Sequence, residues 1–302
     1  MSSNSIISPL ASISPAVPSV STVPASQQDG DPARVRFTNV EDLFDLIDRT
    51  TKDFLIVTHV SPRDFTKIER EREKRRRKFR FRRYDSNTRI LFITIPTGIH
   101  EMLHLRLNQI VMRKIDRIGL WNAWFSVGAE TFRPDHPRGD GGEGDSTGGP
   151  MPERSGGRWP TLVIEAGYSE TLHQLHNDMQ WWFRASNHDV KIVILAKFDY
   201  RQHHILLEKW EEEILYPQGA ITRSRAAAIS QQNGVLEPVK RQSITISRDE
   251  TTNPVSYNVI RGALVLEFRL LFLREPGPQE GDVILSIQDL QEYAEYVWRW
   301  VL

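Results

Sequence analysis

The sequence predicts an α/β fold, with a mixed central sheet flanked by helices and a strand-rich C-terminal extension. Two observations carry this expectation. Short apolar runs, RILFITIP (89–96), TLVIEA (161–166) and VKIVILAKF (190–198), are bounded by proline, glycine or polar residues, as buried strands are. Between them lie stretches with apolar residues three and four apart, such as Leu103, Leu107, Ile110, Val111, Ile115 and Ile118, the spacing of one helix face.

In order along the chain, residues 1–36 read as a disordered tail, rich in serine and proline and without a basic residue before Arg34. FTNVEDLFDLIDR opens the ordered core, expected over 37–217, with Val40, Leu43, Phe44, Leu46 and Ile47 at helical spacing. A short buried strand over 53–60 and a charged helix follow. In KIEREREKRRRKFRFRR the acidic residues stop at Glu73, and Phe79 and Phe81 then alternate with cations, which on a strand places them on one face. After the 89–96 strand, Thr97-Gly98 turns into a helix that ends near Gly119. A strand is expected over 122–132.

Residues 138–158, dense in glycine, read as an insertion or mobile loop. The 161–166 strand, a helix over 170–185 and the 190–198 strand follow, with a further strand near 205–210. Residues 218–253 lack a sustained period and read as a linker or excursion. Residues 254–302 are expected to be strands and a last helix packing back on the core.

Composition limits the function classes. Lysine plus arginine equals aspartate plus glutamate at 39 each, so no overall field draws the chain to nucleic acid or membrane. The absence of cysteine excludes disulfides, thiolate catalysis and cysteine-ligated zinc, and fits an intracellular, reducing location, nuclear or cytoplasmic. No apolar run approaches the length of a membrane span.

Two constellations carry chemistry. His100-Glu101-Met102-Leu103-His104 spells HExxH, whose histidines share a helix face and whose glutamate could activate a metal-bound water. Against a zinc peptidase stand the absence of a marked third ligand and the charge of Arg106. The second constellation spans strands: Asp135 follows one and Glu165 lies within the next, so the two carboxylates could converge on one hard cation. An acid in the middle of TLVIEA must be paired or functional. Trp181-Trp182 reads as core.

RILFITIPTGIHEMLHLRLNQI, then PDH, then WPTLVIEAGYSE, then DVKIVILAKF, covering most of residues 80–200, resembles the restriction-endonuclease-like PD-(D/E)XK superfamily, particularly its fungal branch. The resemblance implies a nuclease-like core hydrolysing phosphodiesters with Mg²⁺ or Mn²⁺. It implies that Asp135 and Glu165 hold the metal with the carbonyl of Ala166, and that Glu101 is an accessory acid. The family's lysine two residues after the glutamate is missing, because Gly167 stands there. Lys191, Lys197 or a group from the helix holding Gln174 and Asp178 could substitute. The alternative is a catalytically decayed fold that binds protein, DNA or RNA, with Lys74 to Arg83 as its contact edge. A zinc peptidase is the third reading.

Overall fold

A computed structural model of the chain describes residues 33–76, 79–128, 130–134, 140–215 and 235–301. Its first half is a four-stranded sheet with two helices on one face. The elements are β1 (Ala33–Arg36), α1 (Val40–Arg49), β2 (Phe54–Thr58), α2 (Pro62–Arg75), β3 (Arg80–Asp85) and β4 (Ile90–Thr94), and the strand order is β1-β2-β4-β3. Asn39 caps α1 by accepting from the Asp42 amide, and Ser61 caps α2 ahead of Pro62, which suits a first helical position. The predicted alternation in β3 holds: Phe79 and Phe81 both enter the core formed with Leu43, Phe44 and Phe65. The register of β3 on β4 then shifts between Phe81 and Arg83, a bulge that turns Arg82 away from that core.

The second half centres on a seven-stranded mixed sheet. Thr97 caps α3 (Gly98–Arg117), whose Leu103, Leu107, Ile110, Val111 and Ile115 are all buried. There follow β5 (Trp124–Val127), β6 (Thr131–Phe132), β7 (Gly142–Glu143), β8 (Ser146–Pro150), β9 (Leu162–Gly167), α4 (Leu172–Ala185), β10 (Ile192–Asp199), β11 (His204–Leu215), β12 (Val235–Asp249) and β13 (Ser256–Ile260). The sheet order is β13-β12-β11-β10-β9-β8-β5. Within this sheet only β9 and β10 pair in parallel, with α4 as their crossover, and the other pairs are antiparallel. The chain closes with β14 (Leu264–Leu266), α5 (Phe268–Phe272), β15 (Val283–Leu285) and α6 (Ile287–Trp298). Tyr293 of α6 donates its hydroxyl to the Leu103 carbonyl of α3, fixing that end to the core.

Several expectations need correction. Ala33–Arg36, assigned to the tail, is a strand paired in parallel with β2. The glycine-rich 138–158 stretch contains β7 and β8, buried throughout. At two of its glycines indole rings lie against the backbone: a Cβ at Gly148 would come within 2.7 Å of Trp124 and one at Gly142 within 2.5 Å of Trp181. Residues 235–249, within the expected linker, are a long strand of polar exposure pattern, which hides its period; 216–234 lie outside the described residues. The run expected to be strand to Leu273 ends in the helical turn α5.

Candidate functional site

The C-terminal end of β9, the start of α3 and the bulged strand β3 meet between the two sheets. Along β9, Leu162, Ile164 and Ala166 join the core beneath α3, while Val163 and Glu165 face α4. Glu165 is fully buried, and its Oε1 accepts from Trp182 Nε1 at 2.5 Å. The last β8–β9 pair is Ser146 with Ile164, which sets Asp145 beside Glu165. Asp145 Oδ2 accepts from the Ala166 amide at 2.8 Å, and Oδ1 from Arg80 Nη1 at 2.9 Å.

The bulge aims Arg82 into this acidic wall. Its guanidinium lies 2.6 Å from Asp178, 2.9 Å from Glu170, 3.2 Å from Glu165 and 3.6 Å from Asp145, and it donates to the Ala166 carbonyl at 3.2 Å. Each of these side chains is almost wholly excluded from water. Burial disfavours the charged form, so Glu165 is pushed well above the usual carboxylate range and Glu170 up to about 8, against the opposing pull of Arg82. Burial also acts to raise Asp145, but His100 and Arg82 outweigh it and hold that carboxyl well below the usual range. Environments that drive neighbouring carboxyls apart in this way are characteristic of functional sites.

Next to this pocket, across Asp145, lies the HExxH turn. His100 and His104 are buried, and His100 Nε2 is 3.4 Å from Asp145 Oδ2. Burial lowers His100, but Asp145 raises it further, to about 10. His104 is lowered, chiefly by burial. Glu101 lies 3.2 Å from His104 Nε2 and 3.0 Å from Arg80 Nη2. Burial would raise it, yet the adjacent His100 and His104 bring it below its ordinary value. A carboxylate so engaged is not poised as the water-activating base of a peptidase.

Of the residues expected from sequence, Glu165 and the Ala166 carbonyl are at the centre of the pocket and Glu101 is at its rim. Asp135 lies outside the described residues. Lys191 is not brought in: it precedes β10, whose Ile192 pairs with Leu162 at the far end of β9, and its ammonium donates to the His188 carbonyl. Lys197 stands opposite Gly167 but donates to the Tyr168 and Phe198 carbonyls. A Cβ at Gly167 would meet Leu175 Cδ1 at 2.9 Å, so a side chain at that point of the strand would require Leu175 of α4 to shift. Asp178, on the helix expected to send a group inward, does so. Asp145, Glu170, Arg80 and Arg82 were missed. Asp145 was hidden in a stretch that looked like loop, and the arginines in a charge run that looked solvent-facing.

No family model matches the sequence, and no curated protein matches it. Among solved structures, the chain is similar to a protein from Anabaena variabilis ATCC 29413 described as "a putative nuclease belonging to DUF820", at 10% identity and a TM-score of 0.39, with 78% of this chain and 99% of that chain covered.

Proposed function

We propose that the chain is a restriction-endonuclease-like domain that hydrolyses phosphodiesters, with Asp145, Glu165 and the Ala166 carbonyl holding Mg²⁺ or Mn²⁺. The observation that carries this reading is the convergence of Asp145, just ahead of β8, and Glu165, on β9, upon one guanidinium. The donors suit a hard cation: all are oxygens, and Glu165 Oε2 is buried with only the Arg82 guanidinium, 3.2 Å away, beside it. Held by these residues, such an ion would polarise a phosphodiester and lower the pKa of bound water. Arg82, retained by Asp178 and Glu170, offsets charge developing on the phosphate, the part played by the lysine that Gly167 displaces.

A second reading is favoured by the enclosure of Arg82, whose side chain is 1% exposed among its carboxylates: a fixed arginine fills the cation's place and the domain binds without turnover. Supercoiled plasmid incubated with Mg²⁺ or Mn²⁺ separates the two. Cleavage abolished in both Asp145→Asn and Glu165→Gln supports hydrolysis. DNA retention without cleavage by the wild type supports the fixed arginine, and cleavage undiminished in both variants rejects the site.

A further inference from the structure

The HExxH turn holds a feature that the Arg82 pocket does not use. His100 is 1% exposed, and its ring nitrogens make only long contacts, Nε2 at 3.4 Å from Asp145 Oδ2 and Nδ1 at 3.6 Å from Glu101 Oε1. A buried imidazole held only by such long contacts forfeits part of the hydrogen bonding it would make in water. What faces it is a set of metal-ligand types. One donor atom each from His100, Glu101 and His104 lies within 4.8 Å of the others, and Asp145 Oδ2 is 3.4 Å from His100 Nε2. Two ligands on one tetrahedral ion, each about 2.1 Å from it, are separated by roughly 3.4 Å, so the spacing needs little change to close.

The surroundings orient the donors as an outer shell does. His104 Nδ1 lies 2.9 Å from Ser146 Oγ, a hydrogen bond that leaves Nε2 directed at Glu101. The site's present counter-cation is Arg80, with Nη1 2.9 Å from Asp145 and 3.3 Å from His104 Nε2. Arg80 is 11% exposed, whereas Arg82 is 1% exposed. An incoming ion can therefore displace the Arg80 head toward water while Arg82 stays enclosed.

We propose that His100, Glu101 and His104 form a site for an imidazole-preferring divalent d-block ion, Zn²⁺ first, alongside the oxygen-lined pocket and bordering it at Asp145. Two nitrogen donors with carboxylates favour Zn²⁺, Co²⁺ or Ni²⁺ over Mg²⁺. The ion braces the first turns of α3, and its binding does not depend on phosphodiester hydrolysis.

The test is metal content and Co²⁺ spectroscopy on the full chain, stripped with chelator and reloaded. The expected result is one tightly held Zn²⁺ that millimolar Mg²⁺ does not displace, and Co²⁺ absorption of tetrahedral type. His104→Gln should weaken binding at least about tenfold, and Ser146→Ala, which frees His104 to turn, by a similar factor. Glu165→Gln should retain the ion, so a failed cleavage assay leaves this site standing. Arg80→Gln, which removes the competing cation, should bind more tightly and guards against a variant that merely misfolds. A wild-type chain that holds no more Zn²⁺ or Co²⁺ than His104→Gln, or an Arg80→Gln chain that binds no better, overturns the proposal.

Discussion

The Nε of Arg82 lies 2.6 Å from Asp178 while its Nη2 lies 3.2 Å from Glu165, so one side chain of the first sheet ties together a helix and a strand of the second half. Removing a buried cation from such a set leaves its carboxylates uncompensated, at a cost of about 3–5 kcal/mol. We expect Arg82→Met to lose that much in equilibrium urea unfolding. Adding Glu165→Gln and Glu170→Gln to Arg82→Met should recover part of the loss, because fewer charges are then stranded. A loss below about 1 kcal/mol for the single variant would show that the guanidinium is not integral to the pocket.

The glycines at 142–150 make a second prediction. At Gly142 an added Cβ would come within 2.5 Å of the Trp181 ring and 2.8 Å of the Arg82 carbonyl, and backbone cannot swing aside as a flexible side chain can. Gly142→Ala should cost about 1–3 kcal/mol as an overpacked site. Gly128→Ala, with nothing within 4 Å, should stay within about 0.5 kcal/mol of wild type. Thermal melts of the two, side by side, check it; equal melting points would mean that this stretch is not packed.

These glycines also show where the sequence could be read and where it could not. Elements that bury their own side chains were legible: the α3 stripe, the apolar β9 and β10, and the Phe79 and Phe81 alternation all appear where periodicity put them. Elements buried by their neighbours' side chains were not. β8 carries no apolar signal because Trp124 and Phe125 cover it, and so Asp145 beside it was passed over. Glu165 could be recognised because a charge inside an apolar run is costly wherever it occurs. Arg82 could not, because its inward direction comes from a one-residue bulge, and a local shift of register leaves no periodic trace.

The shifted carboxyls give stability a definite pH dependence. Burial raises Glu165 and Glu170, the latter to about 8, and Asp145 brings His100 to about 10. Each of these folded-state values exceeds the unfolded one, so each contribution is complete below the unfolded pKa and is lost as pH rises through the folded pKa. For Glu170 the window runs from about 4.3 to about 8, and for His100 from about 6.5 to about 10. Asp145 has the opposite sign: its contribution is present above the carboxylate range and lost in acid. We expect the melting temperature to peak near about pH 5 and to fall toward alkaline pH. Glu170→Gln should flatten the fall up to about pH 8 and leave the part above it. A wild-type melting temperature that climbs between those limits would contradict these assignments.

Nucleic-acid binding is expected to lie elsewhere than on the strand part of the basic run. Arg80 and Arg82 point into the pocket, and Arg83 lies over the Phe92 ring with Asp178 3.4 Å away. Arg72 is likewise engaged, pairing at 2.7 Å with the buried Glu143. On α2 itself, Arg63, Lys67, Arg70 and Lys74 are exposed cations spaced four, three and four residues apart. That spacing makes one continuous basic stripe along a helix, which can follow a phosphate backbone. If the domain binds DNA as proposed, changing all four to glutamine should weaken binding and reduce the slope of log affinity against log salt by about 3–4, close to 0.9 for each phosphate no longer neutralised. Folding should be little affected, since Lys67 and Lys74 make only exposed pairs with Asp64 and Glu71. Filter binding of a short duplex across a salt series measures it, and an unchanged slope would place the DNA on another face of the molecule.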